Sequence, residues 1–211
     1  MPIKHKQKIQ FYRHTKNGYL LRLLTLDDMS FWGSSALMSI VFTLFVVAEI
    51  DGGSASVVGI AFMLRELTIA LLSIPIGKVL DKIKGHLDEI YFLSASGMLV
   101  GIAYLLLGFS TQIWQVYILM IGIGITHALN INSWRILFYG SIKNNERGQT
   151  TGVYQTIMSI TIAIILAVGG FIADTYGFRI TLFIGAIITI AGGFIPLLLR
   201  KNIIEEKRLI K

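Results

Sequence analysis

The chain has 211 residues, of which 54% are hydrophobic and only 15% are charged, and its formal net charge is +7. Soluble domains carry about 25% charged residues, so this composition excludes an ordinary soluble protein and predicts an all-α integral membrane protein. The basic residues lie in tails and loops, which suits orientation in the lipid bilayer and contact with anionic lipid rather than nucleic acid.

The chain contains no cysteine, which excludes disulfides, thiolate metal sites and thiol chemistry. It also lacks a nucleophile elbow, a metal-ligand spacing and a phosphate-binding glycine loop that leads to a lysine. We therefore predict that the protein is not an enzyme, and we predict neither a cofactor nor a bound metal.

Residues 1–28 are basic and contain leucines that can line one side of a short helix. We interpret them as a cytoplasmic arm that ends in an interfacial helix. A disordered basic tail up to about residue 18 explains the first half of this segment equally well. Asp27 and Asp28 precede the first long apolar run, and we interpret them as N-terminal helix caps.

The remaining apolar runs predict six transmembrane helices within a domain of residues 29–200. An uncharged stretch from 90 to 134 is far too long for one crossing of a core about 30 Å thick, so it must be two helices. The predicted spans are 29–48, 56–79, 90–134 divided by a turn at 108–112, 150–173 and 180–199. A basic cytoplasmic tail, 201–211, follows.

The distribution of Lys and Arg predicts the orientation of these helices. The N-terminal arm, the 2–3 loop, the 4–5 loop and the C-terminal tail carry 6, 3, 2 and 5 of these residues, whereas the other three loops carry 0, 0 and 1. Because cytoplasmic loops carry the excess of Lys and Arg, both termini are predicted to be cytoplasmic.

Two charged residues fall inside the second predicted span. Arg65 and Glu66 lie about ten residues into it, which is roughly 15 Å into a core of about 30 Å. Each such charge costs at least ~2.5 kcal/mol, so it needs a partner or a water-filled cavity. Neighbouring residues point about 100° apart on a helix, so these two need not pair with each other. They are candidate substrate or coupling residues; the alternative is an ion pair that only fixes packing.

The fourth predicted span carries a second polar group, His127, Asn130 and Asn132. His127 and Asn130 are three residues apart and are expected to share a face. A histidine there can change its charge between about pH 5 and 8, which suits coupling to protons. The alternative is that all three side chains merely form hydrogen bonds to neighbouring helices.

Three further motifs resemble those of the major facilitator superfamily. A glycine, an aspartate, a lysine and a second glycine follow span 2, a Glu-Arg-Gly sequence precedes span 5, and a glycine pair followed by glycine, aromatic residue and arginine ends it. These residues are Gly77, Asp81, Lys82 and Gly85; Glu146, Arg147 and Gly148; and Gly169, Gly170, Gly177, Phe178 and Arg179. The first motif departs from the family pattern by one extra residue before Gly85.

The resemblance implies one six-helix half of a facilitator-type fold, in the plasma membrane of a prokaryotic cell. It implies a secondary transporter of a small solute that works by alternating access. Family members have two such halves with substrate between them, so the resemblance implies a second copy of the chain and a homodimer. The glycine-proline pair typical of the family's antiporters is absent, with Ile165 and Leu166 in its place.

The resemblance also implies roles for individual residues. Glu66 and His127 are expected to couple transport to protons or another cation, and Arg65, Asn130 and Asn132 to contact the substrate. Gly77, Asp81, Lys82 and Arg147 are expected to form a conformational latch, in which Asp81 meets the start of helix 5 of the second copy. The alternative is one subunit or a fragment of a heteromeric transporter, or a membrane scaffold that does not transport.

Overall fold

The computed structural model describes residues 17–83, 87–142 and 147–200. Six α-helices and a terminal 3₁₀ helix account for nearly all of these residues. They are α1 (Asn17–Glu49), α2 (Ala55–Lys82), α3 (Leu87–Phe109), α4 (Ile113–Ser141), α5 (Arg147–Tyr176), α6 (Phe178–Gly192) and the 3₁₀ helix Ile195–Leu199. All six spans within the described residues are long and apolar enough to cross a membrane, as the sequence predicts.

The first helix begins well before the predicted span. It runs without a break from Asn17 through Asp27 and Asp28 to Glu49, so the described part of the expected interfacial helix is the first part of α1. The two aspartates are buried inside this helix, and the prediction that they cap it is wrong. The cause is tertiary packing, because Leu20 and Leu24 are also buried here and extend the helix inward.

The second helix also exceeds its predicted bounds. Gly77, Asp81 and Lys82 were expected in the loop after the second span, yet they form the last turns of α2. The rest of that loop, including Gly85, lies outside the described residues, as do Glu146 and the tail 201–211. The basic residue Lys82 in the last turn favours this extension, since cations stabilise a helix C-terminus.

The sixth span is not one continuous α-helix. It changes to a 3₁₀ helix after Gly193, and Pro196 lies in its first turn, where a residue without an N–H donor is tolerated. Gly193 lies against α3: a Cβ added at Gly97 would lie 2.9 Å from the Gly193 Cα, and the Ser94 hydroxyl donates a 2.6 Å hydrogen bond to the Gly193 carbonyl. The break therefore coincides with the closest approach of α3 and α6.

Each helix packs mainly against one or two others, so that the six helices form a linear series of contacts. α2 packs mainly on α4, α4 on α3, α3 on α6, α6 on α1, and α1 on α5. The two helices at the ends of this series are poorly covered: 11% of the α2 span and 17% of the α5 span are buried, against 44–56% for the other four. The exposed surfaces of α2 and α5, which we call the uncovered side, therefore lack a neighbour from the same unit.

Two apolar clusters fill the interior. The inner cluster joins the start of α1 to the 3₁₀ helix, and we call this end of the bundle the inner end. Its buried members are Leu20, Leu23, Leu24, Ile90, Leu93, Trp134, Leu137, Phe138, Ile142 and Leu199. The outer cluster extends from Phe31 along α1 to Ile50. Buried polar residues separate the two clusters along the helices, among them Asp27, Asp28, Ser94, Ser96, Asn130 and Ser133.

Candidate functional site

Arg65 and Glu66 form an ion pair on α2. The Arg65 Nη2 and Nε atoms lie 2.7 and 3.1 Å from Glu66 Oε1, although adjacent residues on a helix need not meet. Arg65 bends toward the unit, with its guanidinium 4.8 Å from the centre of the Phe62 ring. The Arg65 side chain is 21% exposed and that of Glu66 60%, so the carboxylate lies on the poorly covered side of α2.

Glycine allows α2 to come close to α4 beside this pair. A Cβ added at Gly124 of α4 would lie 2.7 Å from the Arg65 carbonyl oxygen and 2.7 Å from the Thr68 Cβ. A side chain at position 124 would therefore push α2 away. Small residues at helix contacts have this role in membranes, where packing rather than the hydrophobic effect holds helices together.

His127 is buried on the side of α4 that faces α1. Its Nδ1 lies 2.8 Å from the Ile123 carbonyl oxygen, and its Nε2 lies 3.4 Å from the Ser35 hydroxyl. Since a carbonyl oxygen can only accept, Nδ1 carries a hydrogen. Phe31 and Trp32 enclose the ring, with centroids 5.0 and 5.6 Å from its own. The histidine is thus shielded from both lipid and bulk water.

Ser35 joins the histidine to the arginine. A small cavity of about 10 Å³ between α1, α2, α3 and α4 is lined by Ser35, Ser39, Arg65 and Tyr104. That volume holds about one water molecule, so this cavity has no room for a solute. Ser35 carries little signal in the sequence, because a single hydroxyl in an apolar helix usually bonds to its own backbone.

The two asparagines of α4 point to other helices. Asn130 is fully buried and donates a 3.3 Å hydrogen bond to Ser96 of α3, so it does not share the environment of His127 as expected. Asn132 bonds to the Ala128 carbonyl of its own helix at 2.8 Å and faces α2 near Gly77. The structure thus places Arg65 and His127 near Ser35, with Glu66 paired to Arg65, and it separates Asn130 and Asn132 from them.

The residues of the expected latch lie at the inner ends of α2 and α5. Asp81 and Lys82 are exposed in the last turn of α2, and Arg147 is exposed at the first residue of α5. In the series of helix pairs, α2 and α5 stand at opposite ends. A contact between Asp81 and the start of α5 therefore fits two copies of the unit better than one.

A polar group that the sequence analysis did not identify lies between α1 and α5. The Tyr154 hydroxyl donates a 2.5 Å hydrogen bond to Asp28 Oδ2. Asp27 and Asp28 are 2% and 0% exposed, and each has an oxygen, Asp27 Oδ2 and Asp28 Oδ1, without a hydrogen-bond partner in the described part of the chain. The sequence did contain a signal for this group, because two adjacent aspartates precede an apolar run. The same two residues equally indicated the start of a helix.

Tyr154 also lines an open groove of about 620 Å³ at the inner end. The wall of the groove is mainly apolar and comes from the first turns of α1 and α5. Its lining residues include Arg22, Thr25, Met29, Gln149, Thr150 and Tyr154. Within the described ranges, no three His, Asp or Glu side chains gather as a metal site would require.

The family model of the Major Facilitator Superfamily matches residues 29–210. The chain belongs to the major facilitator superfamily. No curated protein matches the chain. Members of the superfamily are transporters of small molecules, so this facilitator chain is an integral membrane protein of a transporter family, and its six helices correspond to one half-size facilitator unit.

The arrangement of the six helices agrees with membership in this family. Substrate in facilitator proteins binds at the middle of the membrane between two six-helix halves. In this facilitator unit the cavity beside Arg65 has a volume of only about 10 Å³, and the Glu66 carboxylate of the Arg65–Glu66 pair is exposed on α2.

Proposed function

We propose that the chain is one half of a secondary transporter that moves a small solute by alternating access, and that a second copy of the chain completes the cavity. The observation that carries this proposal is the uncovered side formed by α2 and α5. Near the middle of the membrane it presents Glu66, whose side chain is 60% exposed. Lipid is a poor neighbour for such a carboxylate, since charges in the hydrocarbon core face protein or water.

The exposed face of α5 supports the same conclusion. It carries Gln155, Thr156 and Ser159, and Gln155 donates a 3.3 Å hydrogen bond to Ser159 on its own helix. Gly152 on this face has open space where a side chain would be. Polar and small residues are typical of helix contacts within membranes and not of lipid-facing surfaces.

In the proposed dimer, a twofold axis along the membrane normal sets α2 of one copy against α5 of the other. Glu66 then borders a central cavity and couples transport to a proton or another cation, and Arg65 contacts the solute. We also propose that His127 takes part in the coupling and that Asn130 and Asn132 contact the solute. Because His127 is buried, it would act through Ser35. We place both termini in the cytoplasm, and the protein in the plasma membrane of a prokaryotic cell.

A panel of sugars, peptides, cationic drugs and organic anions tests transport directly. Purified protein is reconstituted into lipid vesicles, a pH gradient is imposed, and solute-dependent currents are recorded on a solid-supported membrane. We expect a response to at least one solute class, and we expect Glu66→Gln to abolish its dependence on the pH gradient.

The control for this experiment is Asp51→Asn, which alters an exposed carboxylate in the loop between α1 and α2. This variant is expected to keep the response of the wild type. Currents in Glu66→Gln that follow the pH gradient as in the wild type would show that the coupling group lies elsewhere. If no solute gives a response, the result favours the alternative of a membrane scaffold that does not transport.

The absence of cysteine makes the dimer testable by crosslinking. If Asp81 of one copy lies beside Thr150 of the other, the antiparallel register places Leu71 beside Ile160; both are exposed, at 74% and 57%. Two differently tagged copies, Leu71→Cys and Ile160→Cys, are mixed in vesicles and oxidised. We expect a disulfide-linked dimer that carries both tags.

The matched control replaces Ile160→Cys by Leu99→Cys, on the exposed face of α3. This position is on the far side of the proposed dimer, so no adduct with Leu71→Cys is expected. Equal adducts in both mixtures would indicate random collision and contradict the proposed interface. In native membranes, a larger adduct with a different protein would instead support the heteromeric transporter.

A further inference from the structure

The strongest unassigned group in the molecule is the pair of buried aspartates in α1. About 20 residues at 1.5 Å each cross the hydrocarbon core, so counting back from Glu49 places residue 29 near its inner edge. Asp27 and Asp28 lie there, within the described bundle and between the inner and outer apolar clusters. Charged groups at such a position are functional by default.

No cation compensates this pair within the part of the chain that the structure describes. The ion pairs there are Arg65–Glu66 and Arg179–Glu49, and neither involves α1 near Asp28. One oxygen of each aspartate, Asp27 Oδ2 and Asp28 Oδ1, is buried without a partner. Two adjacent carboxylates without a counter-ion repel each other, and a positive species between or on them relieves that repulsion.

The surroundings of Asp28 are aromatic. Tyr154 reaches it from α5 with a 2.5 Å hydrogen bond. The Tyr154 ring in turn contacts Trp134 and Phe138 of α4, with centroids 5.0 and 4.9 Å away. The Trp134 indole is held by a 3.3 Å hydrogen bond to the Leu24 carbonyl of α1. The aromatic side chains therefore hold Tyr154 in place against the carboxylate.

Tyr154 connects this site to the groove. It lines the groove and its hydroxyl bonds to Asp28, so it links the carboxylate to the inner surface. Titratable side chains of the described residues near Asp28 and the groove include Asp27 on α1, Arg22, which lines the groove, and Tyr139, whose ring centroid lies 6.4 Å from that of Trp134. At the same end of the bundle lie Asp88 and Glu89 on α3, Arg135 on α4 and Arg147 on α5.

We propose that Asp28, together with Tyr154, is a proton-binding site at the inner end of the membrane core. A hydronium ion in the groove donates to the Tyr154 oxygen as Tyr154 passes its own hydrogen to Asp28 Oδ2. The hydronium becomes water, the tyrosine is unchanged, and the carboxylate becomes a neutral acid. The inference deepens the proposed proton coupling and rests on it for its role in transport, but proton binding is measurable without transport.

A proton suits this site better than a metal cation. Hard metal cations in proteins take six or more oxygen ligands, whereas the described residues offer two unpartnered carboxylate oxygens and one hydroxyl. A proton needs one oxygen and leaves the Tyr154 hydrogen bond available to the resulting acid. Neutral Asp28 is also better tolerated beside lipid than the carboxylate.

Infrared difference spectroscopy of the protein in lipid vesicles tests this site by titrating pH in sodium-free buffer. We expect a carboxylic-acid carbonyl band in the wild type that disappears in Asp28→Asn. In Tyr154→Phe the same band persists at a shifted frequency, because the hydrogen-bond partner of the Asp28 acid group is gone. The control Asp174→Asn removes an exposed carboxylate at the other end of α5 and is expected to leave the Asp28 band intact.

The proposal is overturned if Asp28→Asn and Asp174→Asn give the same spectra over the whole titration. It is also overturned as a proton site if sodium chloride, but not choline chloride, removes the band at constant pH, since a metal cation then competes. Should Asp28→Asn fail to fold, Tyr154→Phe decides alone: an unchanged carbonyl frequency contradicts the site. None of these readings depends on transport, so absent solute currents would count only against the proposed function.

Discussion

At the scale of single residues, the contact between α2 and α4 depends on the absence of one side chain. Gly124 faces the Arg65 carbonyl oxygen and Thr68, and a Cβ there would lie 2.7 Å from each. The carbonyl belongs to the helix backbone and cannot rotate away. A methyl group at this position must therefore separate the helices or distort α2 beside the Arg65–Glu66 pair.

We expect Gly124→Ala to destabilise the protein by about 1–3 kcal/mol, the usual cost of forcing an extra group into a packed contact. Thermal unfolding of the purified protein, followed by tryptophan fluorescence, measures the change. Gly122→Ala is the matched control, because a Cβ at Gly122 meets nothing within 4 Å. Alanine favours helix by up to about 1 kcal/mol over glycine, so this control is expected to be neutral or stabilising. Equal unfolding temperatures for both variants would contradict the close contact.

The sequence identified several candidate site residues because charge in a long apolar run is a strong signal. Arg65, Glu66 and His127 could be selected in this way: Arg65 lines the small cavity, Glu66 pairs with Arg65, and His127 contacts Ser35 of that cavity. Their partners could not be selected: Ser35 contributes one hydroxyl from another helix, at 3.4 Å from His127. The aspartates Asp27 and Asp28 had the right signal, but a helix start and a buried site use the same residue types.

At the scale of elements, the number of helices followed from the sequence and their ends did not. Crossing a membrane requires about 20 apolar residues, which fixes how many helices fit into each apolar run. Helix ends depend on packing outside the membrane core. The start of α1 is helical because Leu20 and Leu24 pack into the inner cluster, and no composition rule for spans covers that segment. The change to a 3₁₀ helix after Gly193 likewise reflects its contact with α3.

At the outer end of the bundle, one side chain connects three helices that are far apart in the sequence. Arg179, at the start of α6, donates hydrogen bonds to Glu49 of α1 at 2.5 Å and to the Gly108 carbonyl of α3 at 3.0 Å. Its guanidinium also lies 5.3 Å from the centre of the Phe45 ring. The sequence motif that contains Arg179 thus acts at the contact of three helices. The spacing of the motif suggested importance, but not which helices it connects.

At the scale of the whole molecule, the described helices pack around two apolar clusters, and the surfaces of α2 and α5 are poorly covered. The Arg65–Glu66 pair lies on α2, with the Glu66 side chain exposed. We propose that a single unit contributes binding groups and that a second copy is needed to enclose a solute. The proposed second copy would double each group across the twofold axis, so an asymmetric solute would bind in two equivalent poses.

The proposed dimer predicts a contact at its inner surface that controls its conformation. Asp81 of one copy would lie at the start of α5 of the other, beside Gln149 and Thr150, where the helix dipole favours a negative charge by about 0.3–1 kcal/mol. The contact forms when the inner ends are together, which is the outward-facing state. Asp81→Asn removes the charge, so we expect each lost contact to shift the equilibrium about 2–5-fold toward the inward-facing state.

Crosslinking between Leu71→Cys and Ile160→Cys copies, with and without Asp81→Asn, measures dimerisation. The kinetics of solute uptake report the shift between the outward-facing and inward-facing states. We expect the dimer to persist with Asp81→Asn and the kinetics of transport to change. Asp174→Asn, at the outer end of α5, is the matched control and is expected to behave as the wild type. If Asp81→Asn transports with the same kinetics as the wild type, the inner contact has no part in the cycle.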